Sequence, residues 1–140
     1  MKRFILDTDV IIAALRSPTG ASSRLLSLAS TGKIIMLVSV ALFVEYEAKC
    51  SMQEHYKAGG LTKAQAELYI AGLAKIAKPV KIHYRWRPVL SDPDDEMVLE
   101  AAVNGQADAI ITFNQKDFTN IEKQFNVKVL TPRDALRSAV

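Results

Sequence analysis

Five short apolar runs, set apart by longer stretches with helical periodicity, constrain the fold of this chain more than any other feature of its sequence. They are Arg3 to Asp7, Ile34 to Val38, Val80 to His83, Ala109 to Thr112 and Val127 to Leu130. Runs of this length read as strands, and their apolar character leaves neither face suited to water. The segments between them read as helices. One extends from Ala21 to Gly32, a helix-ending glycine. Another covers Val40 to Met52, and a third follows the capping residue Thr62 and runs to Ala77. "SDPDDE" opens a fourth, with Asp92 as cap, Pro93 at the first helical position and acids at the positive end of the helix dipole. Short helices are expected near Asp117 to Gln124 and Pro132 to Ser138. Strands alternating with helices predict an α/β three-layer sandwich, a central parallel sheet of about five strands with helices on both faces.

At 140 residues, 49% hydrophobic and 24% charged, the chain has the size and balance of one globular domain spanning residues 1–140. Its single cysteine, Cys50, has no internal partner, and no export signal opens the chain, so a reducing cytoplasm is the expected location. No apolar run reaches the ~18 residues of a membrane span. A formal charge of +3 is compatible with an anionic partner such as nucleic acid, and with many other partners.

Against this background "FILDTDVIIAAL" is unexpected, because Asp7 and Asp9 interrupt an apolar strand that runs into an apolar helix. Open parallel sheets bind ligands beyond the carboxyl ends of their strands, and Asp7 falls at such an end. Asp95 at a helix start, Asp117 after "AIIT" and a glutamate in the helix after "IIMLV" could reach the same rim. The helical wheel leaves Glu45 and Glu47 as alternatives for that glutamate. Two unpaired carboxylates at ~4 Å repel by about 4 kcal/mol near a protein surface, so such a cluster needs retained protons or a cation. His55, His83 and Cys50 lack zinc-ligand spacing, whereas carboxylate oxygens suit Mg²⁺ or Mn²⁺. Each acid also has an ordinary explanation, as a helix cap or a surface charge.

The sequence resembles the PIN-domain family of metal-dependent ribonucleases, and most of all its bacterial branch of VapC-like toxins from toxin–antitoxin pairs. The resemblance rests on "FILDTDVIIAAL", "SVALFVEYE", "DPDDEMVLEAA", "ADAIITFNQKDF" and "VLTP", in that order along nearly the whole chain. It implies that Asp7, Glu45, Asp95 and Asp117 form the catalytic, metal-binding quartet. One or two Mg²⁺ or Mn²⁺ ions there would activate a water and neutralise charge on a phosphodiester of single-stranded RNA. It also implies a cognate antitoxin that covers the acidic rim; the apolar helices around Phe43 to Met52 and Leu68 to Leu73 suit such a contact or a homodimer, and core packing is the other account of most of their side chains. Two positions depart from the family pattern. Asp9 stands where asparagine is usual, and Asn114 stands where many relatives carry aspartate, which makes Asp9, Thr112 and Asn114 secondary site candidates.

Arg16 and Arg24, either side of "SPTG", and Lys116 beside Asp117 are candidates for gripping the RNA backbone. "HYRWRP", residues 83–88, interleaves aromatics with arginines like a base-stacking surface, although packing of Trp86 at a strand exit explains it equally well. Two rival functions are distinguishable. "FILDTDVI" also resembles the Asp-x-Asp start of haloacid-dehalogenase-like phosphatases, with Asp7 as nucleophile and Asp9 as acid or base. That chemistry needs a later Ser or Thr and Lys phosphate grip, and usually a cap insertion for which 140 residues leave little room. The other rival is a non-catalytic PIN-like module that binds RNA or protein, against which an intact quartet argues.

Overall fold

The computed structural model describes residues 1–84, 92–118 and 121–139. Five strands, β1 (Arg3–Leu6), β2 (Ile35–Val38), β3 (Lys78–Pro79), β4 (Ala109–Ile111) and β5 (Lys128–Leu130), form one sheet in the order β3-β2-β1-β4-β5. Every pairing is parallel. The apolar "RFIL" run takes the central place, which explains its composition: Phe4, Ile5 and Leu6 are covered on both faces and at both edges. The register sets Ile5 beside Leu37 and Ile110, and Leu6 beside Ile111. The residues that follow, Asp7 and Thr112, therefore leave the sheet side by side.

The helices are α1 (Thr8–Arg16), α2 (Ala21–Ser30), α3 (Val40–Cys50), α4 (Gln53–Ala58), α5 (Lys63–Ile76), α6 (Pro93–Asn104), α7 (Ile121–Phe125) and α8 (Pro132–Ala139). Their starts follow from local chemistry. Ser39 caps α3 by accepting from the Leu42 N–H, and Thr62 with Gln65 forms a reciprocal capping box on α5. Asp92 caps α6 with Pro93 directly behind it. Helix α1 buries Val10, Ile11, Ala14 and Leu15, a single apolar stripe. Parallel crossovers are right-handed, so the β1–α1–α2–β2 unit and the returning β3–α6–β4 unit set their helices on opposite faces of the sheet. The strand order reverses direction between β1 and β4, and the crevice outside their carboxyl ends is where open sheets of this kind take ligands.

The structure departs from the sequence reading at three elements. The strand expected over Val80 to His83 is instead the two-residue β3, Lys78–Pro79, at the sheet edge. One more bond follows, from the Val80 N–H to the Val38 carbonyl, before the chain leaves, and the N–H groups of His83 and Tyr84 donate to Asn104 Oδ1. Helix α3 stops at Cys50, short of Met52, and Met52 then opens α4, which the sequence reading missed. Gly59, after α4, packs so closely on the end of α1 that a Cβ there would collide with the Leu15 carbonyl. The helix expected near Asp117 to Gln124 is a 3-10 turn over Gln115–Phe118 followed by α7, with residues 119 and 120 outside the described residues. Residues 85–88 of "HYRWRP", Trp86 among them, also lie outside the described residues. No described helix is long and apolar enough to cross a membrane.

Candidate acidic site at the carboxyl edge of the sheet

Asp7 closes β1 and caps α1, and both roles fix its carboxylate. Its N–H extends the sheet by donating to the Ile111 carbonyl at 2.9 Å. Its Oδ1 accepts from the Thr8 N–H at 2.8 Å, the capping bond. Its Oδ2 accepts from the hydroxyl of Thr112, at 2.8 Å across the crevice. Thr112 is 0% exposed and Asp7 only 9%. Burial pushes the Asp7 carboxyl above its ordinary range, the Thr112 and Thr8 donors oppose this, and the charges of Asp117 and Asp92 raise it further.

Two other elements bring acids to this rim. Asp95 lies in the first turn of α6, half-buried, and its carboxyl is pushed up to about 7 by burial, then by Asp7, Asp117, Asp92 and Asp94. Asp117 sits exposed in the 3-10 turn after β4, its N–H donating to the Asn114 carbonyl at 3.0 Å. The charges that raise Asp7 and Asp95 among the described residues include Asp92 and Asp117 for both. Asp92 also serves the helix, accepting from the Asp94 N–H at 2.9 Å.

Glu45 is half-buried on α3, and Glu47 is exposed beside Val40 and Val44 in an apolar groove. The ion pair of Glu45 is to Lys49 at 3.9 Å, and Glu45 is not among the charges that raise Asp7 or Asp95. Its neighbour Tyr46, which the sequence reading did not single out, is fully buried and donates its hydroxyl to the Leu6 carbonyl, tying α3 to the end of β1.

Asp9 holds the segment that leaves β4. Its Oδ2 accepts from the Phe113 N–H at 3.1 Å and from the Asn114 amide nitrogen at 3.0 Å. The Thr112 hydroxyl lies 3.4 Å from the same oxygen, but its one hydrogen goes to Asp7, the shorter contact. Its oxygen in turn accepts from the Asn114 N–H at 3.0 Å. Burial and then Asp7 raise the Asp9 carboxyl to about 6, against the Phe113 N–H donor. Asp9 Oδ1 is buried with no hydrogen-bond partner among the described residues. The two departures from the family pattern are therefore one hydrogen-bonded pair, and the carboxylate that a phosphatase would use as acid or base is engaged in holding a loop.

The basic candidates divide. Arg16, at the far end of α1 and roughly 13–14 Å along its axis from Asp7, places a guanidinium nitrogen 3.0 Å from His55 Nδ1. Arg24 lines a cavity between α2 and α8 with Leu136 and Arg137. Lys116 alone among the three adjoins the acidic rim, in the turn that carries Asp117. Two buried acids on α6, Glu96 and Glu100, were not foreseen, because "DDEMVLEAA" reads as a helix start dressed with solvated charge.

Carboxylate, hydroxyl and amide oxygens are hard donors, and a rim where neighbouring aspartates raise the pKa of Asp7 and Asp95 gains from a cation. Among the described residues, no three His, Cys, Asp or Glu side chains close together as a ready metal cage. The arrangement suits an ion held by one or two carboxylates that keeps several waters, which is the usual habit of Mg²⁺.

The "PIN domain" family model matches residues 3–116. The fold is similar to a chain of VapBC2 from Rickettsia felis, solved bound to a DNA fragment from their promoter, with a TM-score of 0.63 and 11% identity over 92% of this chain and 98% of that one. It is also similar to a chain of VapBC-1 from nontypeable Haemophilus influenzae, with a TM-score of 0.61 and 15% identity over 94% and 98%. At such identities the likeness is one of fold. A search of curated proteins finds no significant match. The family model spans most of the chain, from β1 to Lys116 in the 3-10 turn, and the chain belongs to the PIN-domain family.

Proposed function

We propose that this chain is a Mg²⁺- or Mn²⁺-dependent endoribonuclease that cuts single-stranded RNA, and that it is the toxin of a toxin–antitoxin pair. The observation that carries the reading is the gathering of Asp7, Asp95 and Asp117 at the end of β1, the start of α6 and the turn after β4, where the charge of Asp117 acts on Asp7 and those of Asp7 and Asp117 act on Asp95. Asp7 and Asp95 would hold the ion, with Asp117 and Glu45 completing the acidic set. When bound, the ion supplies an activated water and neutralises charge on the phosphodiester.

The protein's own groups prepare the site. The Thr112 hydroxyl and the Thr8 N–H orient Asp7 and favour its charged form, so that it can meet a cation. Tyr46 anchors α3 to Leu6, which fixes the helix that bears Glu45. Lys116 adjoins Asp117, where a phosphate would enter. Both similar structures are of VapBC proteins, which supports a cognate antitoxin as partner. Exposed Val40, Val44 and Leu68 on α3 and α5 offer apolar surface for that partner or for a second copy of the chain.

The test is cleavage of a mixed RNA pool by the wild-type protein and by Asp7→Asn, with Mn²⁺ and with chelator. The proposal expects cutting only by the wild type with metal. Equal cutting by both proteins, or cutting that survives chelation, refutes it. Binding of RNA without turnover under any metal would make the chain a binding module.

A further inference from the structure

We propose that Phe113 is a base-stacking platform, on which a nucleobase flanking the scissile phosphate lies. The inference rests on the ribonuclease reading above and adds a contact that acts on the base, where the acids act on the phosphate.

Phe113 is 54% exposed, between Thr112, which is 0% exposed, and Asn114. A lone exposed aromatic needs no explanation in general. What sets this one apart is how its stem is held. Its N–H donates to Asp9 Oδ2 at 3.1 Å, the amide of Asn114 donates to the same oxygen at 3.0 Å, and the Asn114 N–H donates to the Thr112 hydroxyl at 3.0 Å. The Asn114 carbonyl then accepts from the Asp117 N–H at 3.0 Å. A chain of polar contacts thus clamps the backbone on either side of the ring and leaves the residue just over half exposed. With two side-chain torsions on a fixed stem, little entropy is lost when a flat partner is taken up.

Position supplies the partner's chemistry. The residue before Phe113 bonds directly to Asp7, so the Cα that carries the ring stands one Cα–Cα step, ~3.8 Å, from the Cα of the residue that orients the proposed metal ligand. A strand whose phosphate lies at the acids carries its flanking bases past this point. Aromatic rings in such places bind single strands with little sequence preference, because every base offers a π-face. Asp9 and Asn114 are positioning residues in this account, and the exchange of their usual identities serves the clamp.

The test uses the full chain with Phe113→Ala, Phe113→Leu, Phe113→Tyr and Phe113→Trp. Cleavage of a short single-stranded RNA is measured with Mn²⁺, and binding of a 2-aminopurine-labelled copy is measured in an Asp7→Asn background. Loss of one stacked base corresponds to about 5- to 150-fold. Phe113→Ala should weaken binding and kcat/KM by a factor in that range, through KM more than kcat, and reduce the quenching of 2-aminopurine. Tyrosine and tryptophan should restore both, and leucine should not. Leucine acting as well as tryptophan, or alanine binding RNA like wild type, overturns the proposal. Cutting that continues unchanged in Phe113→Ala leaves the ribonuclease standing and removes the platform. Phe113-dependent quenching without any cutting does the reverse. No RNA binding by any variant overturns both, and loss of self-association in Phe113→Ala with RNA binding intact would assign the ring to a protein contact and overturn this proposal.

Discussion

Replacing Thr112 by valine removes one hydroxyl from the centre of the site while keeping the volume of a residue with no exposed surface. That hydroxyl donates to Asp7 Oδ2 at 2.8 Å and accepts from the Asn114 N–H at 3.0 Å. A hydrogen bond to a charged group contributes ~1.5–3 kcal/mol, and one between neutral groups about 1 kcal/mol. Asn114 is exposed, so water can replace the bond lost there. The expected cost is therefore about 1.5–3 kcal/mol where Asp7 is ionised and about 1 kcal/mol where it is protonated. The sign with pH follows from linkage. The folded pKa of Asp7 lies above the ordinary 3.8, so its neutral form stabilises the fold below that value, and this contribution is lost as pH rises through the folded pKa. Without Thr112, which holds the pKa down, the folded pKa rises further and the variant loses more on the way up. Urea midpoints of the metal-free wild type and Thr112→Val, taken at pH 4 and pH 8, measure this. A destabilisation equal at both pH values, or below about 1 kcal/mol at pH 8, would refute the reasoning.

Two further outcomes are expected. The metal-free protein should lose stability as pH rises from 4 to 8, because Asp9 at about 6, Asp95 at about 7 and Asp7 all have folded pKa values raised above the unfolded ones. Added Mn²⁺ should recover more of it at pH 8 than at pH 5, and thermal unfolding at the two pH values checks both statements. Gly59→Ala should destabilise by roughly 1–3 kcal/mol through its collision with the Leu15 carbonyl, which a urea titration would show as a lower midpoint.

The central sheet was legible because "RFIL", "IIMLV" and "AII" are apolar enough to leave only buried parallel strands as a home. The edge strand β3 was not, since Pro79 and its charged neighbours carry no strand periodicity and the two-residue ladder is set by β2 alone. Helix α4 was hidden because Ser51 and Met52 look like a continuation of α3, and the break serves the packing of Gly59 on α1. At the site, Asp7 stood out as a charge in an apolar run. The role of Asp9 did not, because its partners Phe113 and Asn114 lie more than 100 residues away. Arg16 and Arg24 flank "SPTG" in the chain, but sequence does not show their neighbours: Arg16 meets His55 across the fold and Arg24 lines a cavity with Leu136 and Arg137. Glu96 and Glu100 escaped notice because burial of a helix acid depends on what packs over it, which periodicity does not report.

Paramagnetic broadening of backbone amide signals by substoichiometric Mn²⁺ tests the acidic rim most directly. Broadening should begin at Asp7, Thr8, Asp95 and Asp117, and should weaken strongly in Asp7→Asn. Broadening centred elsewhere on the surface, or unchanged by that substitution, would contradict a metal site built on these aspartates.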